Sequence, residues 1–493
     1  TQGVAVRFGA ALLRTSDSPL VILMIINLIL LIAGCSVGPD YRRPEVSVPG
    51  KWRFEDKEAR TLVNLKWWEQ LRDPVLNALM ETALQENKDV LIAAARIEEY
   101  SGRYIAARGD LFPQAQASGS ASRQQATEQG YAPWPAGVSN PYPNYQAALN
   151  ASWEIDLWGK LRRSTEAARA DLLSRENAHR AVLLSLTAAV AGAYIDLRDM
   201  DRQLEISLDT LKIREESLEI YKMRFDAGVV SELELSQMRS EYENTRATIP
   251  RIEKSIAQQE NALNLLLGRN PGPVARGLTI DQLNLPPVPA GLPSDLLEQR
   301  PDIRQAEQDL ISANARIGVA RAAYFPSVSL TGMYGVASAD LSNLFSGPAQ
   351  IWNLGAGVTV PIFTAGRIRG QVKASEAIEQ QALHNYVKSI QTAFREVEDS
   401  LVDQNRTRIQ LDALFNQLTA LRNYRDLARL RYENGYSSNL EVLDAERNLF
   451  SIELTYIQTR GSLFHALVNL YKAMGGGWSV DGLPQKENPK AEK

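Results

Sequence analysis

The sequence predicts a mixed α and β membrane protein, internally duplicated, in which paired strands sit between very long helices. Three observations predict it. An ordered series of identities recurs along the two halves of the 493-residue chain. Within each half the hydrophobic period changes from three or four residues to two and back again. Two runs, Gly159 to about Phe225 and Gly366 to about Glu433, contain no proline, and each has a single interior glycine, Gly192 or Gly370.

The repeat sets the frame. Gly228, Leu233 and Glu234 return 207 residues later as Gly435, Leu440 and Glu441. The same offset relates "GKLRRSTEA" at Gly159 to "GRIRGQVKA" at Gly366, and Gly268 to Gly475. Upstream the offset is 213, from "NKD" at Asn87 to "RPD" at Arg300 and from Phe112-Pro113 to Phe325-Pro326. A single match means little, but an ordered series across two half-chains means one architecture written twice.

Residues 1–34 have the layout of an export signal: Arg7 and Arg14, an uncharged stretch from Pro19 to Ile32, then Ala33 and Gly34. Ile32-Ala33-Gly34-Cys35 resembles a lipoprotein cleavage box, which implies a covalent lipid on Cys35, the only cysteine. Ser36 follows instead of the aspartate that favours inner-membrane retention, so the resemblance implies the outer membrane of a Gram-negative cell. One acyl chain anchors only marginally, at about 0.8 kcal/mol per buried CH₂, so multiple acylation matters. With one thiol there is no intramolecular disulfide and no cysteine-rich metal site.

Residues 35–73 form an irregular N-terminal segment. In 74–111 Leu76, Leu79, Leu84, Leu91, Ile92 and Ala95 recur at helical spacing until Phe112-Pro113 stops the helix. Residues 112–158 form a hairpin. From Tyr145 to Leu157 the odd positions are apolar and the even positions mostly polar. Residues 159–268 form a long helix pair, whose first member reaches about 100 Å at 1.5 Å per residue. The proline-rich 269–293 breaks the helix, and the plan repeats as a helix at 294–324, a hairpin at 325–363 and a helix pair at 364–474. Residues 475–493 end the chain irregularly. The loops of the two hairpins are expected at 125–144 and 337–350.

A pair of soluble hairpins, each with one face on a core, is the plainer reading of the strands. Against it, each strand holds about ten residues, the tilted span of a membrane barrel, and its polar face suits a water-filled bore. Trp153, Trp158, Trp352 and Phe363, with Trp134 and Tyr324, fall near strand ends, where interfacial aromatics belong. Four strands cannot enclose a usable lumen, so several chains must share one barrel. Within the expected helices beyond residue 35 the uncharged run nearest to spanning length is Ala181 to Ile195, 15 residues, which reads as a buried helix face.

A hydrophobic content of 44% allows sizeable cores, and a formal charge of -4 with interspersed signs gives no case for nucleic acid. His179, His384 and His465 are dispersed and make no local metal or catalytic pattern, so no enzyme activity, metal or cofactor beyond the lipid is expected. No phosphate-binding glycine loop supplies a driving force.

The stretches "CSVGPDYRRP", "WWEQLRDPVLNALMETALQEN", "SWEIDLWGKLRR", "EQRPDIRQAEQDLISANARIGVARAAYFPS", "PIFTAGRIRG" and "RYENGYSSNLEVLDAERNLF" together resemble the TolC-like outer-membrane efflux family, in its lipoprotein branch. The resemblance implies a homotrimer in which four strands per chain complete a twelve-stranded β-barrel, continuous with a long α-helical periplasmic barrel. It implies passive efflux of drugs or other small toxic solutes, with a periplasmic adaptor and a proton-driven resistance-type transporter of the inner membrane as partners. The alternative is the conduit of a type I protein-secretion system; a periplasmic coiled-coil adaptor without a pore is the third class. The family motif here runs Tyr436-Ser437-Ser438-Asn439-Leu440-Glu441-Val442-Leu443-Asp444. It implies a periplasmic gate at Asp444, Glu441 and Tyr436, with threefold rings of carboxylate attracting cations. A serine pair stands where one subgroup has arginine, which leaves the locking partner open. Ordinary solvated carboxylates at a helix start are the alternative reading.

Overall fold

A computed structural model describes residues 36–49, 52, 66–127, 139–285 and 296–476. The signal segment, Cys35, Trp134 and residues 477–493 lie outside the described residues. A 3-10 turn at Trp67–Leu71 leads into α1 (Pro74–Glu86), α2 (Lys88–Gly109), β1 (Gln114–Gln124), β2 (Tyr142–Ile155), α3 (Lys160–Asp226) and α4 (Glu232–Leu266). Then come α5 (Leu296–Gln299), α6 (Pro301–Ala322), β3 (Ser327–Ser338), β4 (Gln350–Thr359), α7 (Arg367–Glu433) and α8 (Asn439–Ala473). The lengths match across the halves: 22 residues in α2 and α6, 67 in α3 and α7, 35 in α4 and α8.

The helix expected over 74–111 is two helices, and so is the one expected over 294–324. Asn87 is extended, with φ -60 and ψ 130, and its Oδ1 accepts the N–H groups of Asp89 and Val90 at 2.9 and 3.1 Å. It therefore caps α2. Its Nδ2 donates to the carbonyl of Leu266 at 2.8 Å. The second half makes the same tie with a different side chain, since Arg300 donates to the carbonyl of Ala473 at 2.9 Å. Single-residue breaks leave the apolar spacing on either side intact, so periodicity does not reveal them. Gly268, at φ +72, closes the joint: a Cβ there would lie 2.2 Å from the Glu86 carbonyl oxygen.

The strands pair antiparallel in the order β1-β2-β3-β4. Their registers bring like faces together: Leu149 faces Tyr334 and Trp153 faces Leu330 on one side, while Ser152 faces Thr331 on the other. β2 begins at Tyr142, three residues before the visible alternation, with Pro143 opposite Arg123. β4 ends at Thr359, short of the apolar positions Val360 and Ile362, because Pro361 has no N–H for a ladder.

The chain divides into two compact units. The described residues of one are 36–44, 98–127, 139–174 and 307–385, with the sheet and the helix ends that flank it. Asp156 starts α3 by accepting the N–H groups of Leu161 and Arg162 at 3.1 and 2.9 Å. The segment after Cys35 is strapped to this unit: the N–H of Val37 donates to the Trp158 carbonyl at 2.9 Å, and Arg43 pairs with Glu307 at 3.0 Å.

The described residues of the other unit are 45–49, 52, 66–97, 175–285, 296–306 and 386–476. Trp67, Leu76, Met80, Val190, Leu263 and Phe464 are buried together, and Trp67 stacks on Tyr471 with ring centroids 5.3 Å apart. Within α3 one apolar window is long enough to cross a membrane by length and composition, but 61% of it is buried inside the protein. Asp73 organises the irregular pieces. It caps α1 through the N–H of Val75 at 2.8 Å and accepts from the Tyr194 hydroxyl at 2.7 Å and the Leu278 N–H at 2.9 Å. The described parts of 66–73 and 269–285 thus gather around one buried carboxylate.

Candidate functional site

The turn joining α7 to α8 carries the three expected gate residues. Gly435 at φ +77 reverses the chain, and Tyr436 stands 77% exposed beside it. Glu441 lies in the first turn of α8, where an Arg431 guanidinium nitrogen approaches its carboxylate at 3.4 Å. Arg431 also donates to the Tyr436 carbonyl at 3.5 Å. Asp444 accepts from Arg447 at 2.9 Å and from the Asn448 amide at 3.0 Å. Each carboxylate is held by an arginine of its own chain, so the serine pair leaves neither unpaired.

The corresponding turn in the first half treats the same pattern differently. Ser231 and Glu234 form a capping box: the Glu234 N–H donates to the Ser231 hydroxyl at 3.3 Å and the Ser231 N–H to the Glu234 carboxylate at 2.8 Å. Ser438, 207 residues after Ser231, makes no side-chain cap, and Glu441 turns to Arg431 instead. All three carboxylates are partly exposed, but Glu234 serves its helix whereas Glu441 and Asp444 pair with arginines. The difference between the halves at this turn is one of hydrogen bonding as much as of residue type.

Behind the turns the helices are locked by mixed contacts. The Tyr221 hydroxyl donates to that of Tyr432 at 2.7 Å, and Arg224 donates to the same oxygen at 3.1 Å. Burial, then the neighbouring hydroxyl, pushes the Tyr221 pKa up, so this bond stays protonated throughout the physiological range. Further along, Arg214 is buried, pairs with Glu241 at 3.0 Å and donates to Thr245 at 2.6 Å. Desolvation pulls its pKa down, and the carboxylates of Glu241 and Glu446 oppose that shift. Sequence reasoning missed Arg431, Arg447 and Arg214. Arg447 follows Asp444 by one helical turn and was detectable as a pair on one face; the other two meet their partners only through tertiary packing.

The sheet supplies the second functional surface. One face carries exposed apolar side chains, among them Leu149, Tyr334 and Leu354, while the other carries Ser118, Gln146, Asn150 and Glu154. Asn150 donates to Ser118 across the polar face at 2.9 Å. Among the described residues β1 and β4 both end the sheet with an unpaired edge. The expected aromatics divide in role. Trp352 and Phe363 are largely exposed, and Trp153 is partly exposed while its indole N–H donates to the Leu111 carbonyl at 3.0 Å. Trp158 instead joins the hairpins, donating to the Pro326 carbonyl at 2.7 Å and stacking on Phe325 at 4.7 Å. Among the described residues no group of three His, Cys, Asp or Glu is placed to hold a metal ion.

Comparison with known proteins agrees with this arrangement. The "Probable efflux pump outer membrane protein TtgC" of Pseudomonas putida is 38% identical over 456 residues, covering 91% of this chain and 94% of that protein. The "Cation efflux system protein CusC" of Escherichia coli is 36% identical over 454 residues, covering 91% of this chain and 97% of that protein. The solved CmeC outer membrane channel of Campylobacter jejuni superposes with a TM-score of 0.84 at 28% identity, covering 90% of this chain and 95% of that one. The family described as "Outer membrane efflux protein" matches residues 79–269 and 292–476, one stretch in each half. With that match on both halves and these relatives along nearly its whole length, the chain belongs to the outer membrane efflux protein family.

Proposed function

We propose that three copies of this chain close their sheets into one twelve-stranded barrel across the outer membrane, continuous with a helical tunnel in the periplasm. The assembly passively conducts drugs or other small toxic solutes handed to it by a periplasmic adaptor and a proton-driven resistance-type transporter of the inner membrane. One observation carries the reading: a four-stranded sheet with two open edges, one exposed apolar face and one polar face. In hydrocarbon each unpaired backbone group costs several kcal/mol, so an open sheet of this kind is tolerated there only when its edges are closed. The apolar face then meets lipid and the polar face lines water. Bilayer conductance of the purified full chain tests this; a protein that stays monomeric in lipid and carries no current would overturn it.

The turn between α7 and α8 is the proposed gate, with Asp444 and Glu441 as the charged constriction and Tyr436 beside them. In a threefold assembly each carboxylate becomes a ring, and Arg431 and Arg447 offset the self-repulsion that such a ring would suffer. Replacing Glu441 and Asp444 together with alanine is expected to raise single-channel ion leak and weaken block by divalent cations. Identical conductance and identical block in wild type and variant would remove the gate assignment. Cys35 is the proposed site of the covalent lipid.

A further inference from the structure

The two halves share one design, so the seam between halves inside one chain is a template for the seam between chains. Within the chain β2 pairs with β3, the second strand of the first hairpin with the first strand of the second. If copies close a ring, β4 must meet β1 of the next copy in the same sense. The repeat carries the register across. The β1–β2 and β3–β4 registers fit a mapping of β1 to β3 by 213 residues and of β2 to β4 by 207: Gln114 opposite Ser152 becomes Ser327 opposite Thr359. These are the offsets that relate the two halves of the sequence outside the strands.

We infer that β4 of one copy pairs antiparallel with β1 of the next so that Thr359 faces Ser118, Val358 faces Gly119 and Asn353 faces Gln124. Each pair is the image of one observed between β2 and β3. Ser152 opposite Thr331 becomes Thr359 opposite Ser118, a hydroxyl pair in both seams. Ala151 opposite Gly332 becomes Val358 opposite Gly119, so the glycine stays and the facing side chain grows. Gln146 opposite Ala337 becomes Asn353 opposite Gln124, two amides facing each other on the polar side.

Side-chain chemistry excludes odd slips from the transferred register independently of the offsets. It keeps Val358 and Ala356 on the apolar face opposite Gly119 and Ala121, and Thr359 and Asn353 on the polar face. A slip of one residue would put each set on the wrong side of the pleat. A tight spot is respected as well. A Cβ at Gly335 would lie 2.7 Å from the Cα of Ala148, so the β2–β3 seam needs a glycine there. The corresponding pair between copies is Ser122 opposite Gly355, where the glycine has moved to the other strand.

This inference rests on the barrel reading, and the experiment separates the two. Full-length chain carrying Val358→Cys and Gly119→Cys is oxidised in membranes and resolved without reductant. Directly opposed residues lie about 4.5–5.5 Å apart at Cα, within disulfide reach, whereas diagonal ones lie about 7–8 Å apart. A Cβ at Gly119 finds its nearest neighbour at 4.0 Å, so the variant has room to fold. Covalent dimers and trimers are expected at least tenfold above those from Val358→Cys with Ala117→Cys or with Ala121→Cys, and Thr359→Cys with Ser118→Cys should also cross-link. Stronger linking by either displaced pair overturns the register and leaves the trimer standing. Absence of linking by every pair in a chain that still purifies as a trimer also overturns the register. Absence of linking in a chain that purifies as a monomer overturns the barrel reading as well.

Discussion

His465 is the histidine that the tertiary structure recruits. On α8 it hydrogen-bonds through Nε2 to Asp196 of α3 at 2.6 Å, with Asp199 one turn further along the same helix. Gln259 of α4 donates to Asp196 at 3.4 Å, and Gln203 donates to Asp199 at 3.1 Å. The bond to Asp196 raises the His465 pKa, while burial pushes the Asp199 carboxyl up to about 6. Both shifts act in one direction. The protonated imidazole contributes stability that is complete below its ordinary value and is lost as pH rises through the raised one. Ionising Asp199 in the folded state adds a cost that begins above its unfolded value of 3.8 and is complete above about 6. Stability of the packed helices should therefore fall from about pH 4 to about pH 6 as Asp199 ionises, and again above 6.5 as pH rises through the raised His465 value. Thermal unfolding across that range should show it, and His465→Gln should flatten the upper part of the slope. Asp199→Asn should gain about 2 to 3 kcal/mol at pH 8 and little at pH 4, since each pKa unit corresponds to about 1.4 kcal/mol.

At the scale of elements, the breaks at Asn87 and Arg300 show how a duplicated plan survives divergence. One half joins the start of its second helix to the end of the long pair through a capping amide, the other through a guanidinium, and each reaches the equivalent carbonyl. The glycines after those carbonyls have nearly the same backbone, φ +72 at Gly268 and +78 at Gly475, but different room. A Cβ would lie 2.2 Å from a carbonyl oxygen at Gly268 and 3.2 Å at Gly475. Substitution by alanine adds a similar left-handed penalty at both, roughly 1 kcal/mol, so the difference between the two variants isolates the contact. Gly268→Ala is expected to destabilise by at least about 2 kcal/mol more than Gly475→Ala in chemical denaturation. Equal losses would mean that the close approach relaxes freely.

At the scale of the whole molecule the proposed assembly gives the strands and the proposed lipid separate tasks. The sheet would span the membrane only with its edges closed by other copies, whereas an acyl group on Cys35 would hold each copy at the surface by transfer free energy alone. Cys35→Ser should abolish incorporation of labelled fatty acid, because no second thiol exists to accept it. The strap that follows Cys35 keeps its own contacts in that variant, Val37 with Trp158 and Arg43 with Glu307. Conductance by purified variant trimers should therefore persist after the label is gone, measured on the same preparation.

The sequence by itself determined the doubled order of elements, the length of the helices and the alternation of the strands. Those features depend on local spacing, on proline and glycine, and on the period of apolar residues, all of which can be read along one dimension. The helix breaks at Asn87 and Arg300 escaped because a single non-helical residue barely disturbs that period. Tertiary structure alone decided the partners: Arg431 for Glu441, Tyr432 for Tyr221, Asp196 for His465, and Asp73 at the meeting of two irregular segments. Except for Arg431 and Glu441, which meet across one turn, these contacts join residues far apart in the chain. Burial and hydrogen-bond geometry in three dimensions select which of many compatible side chains meet.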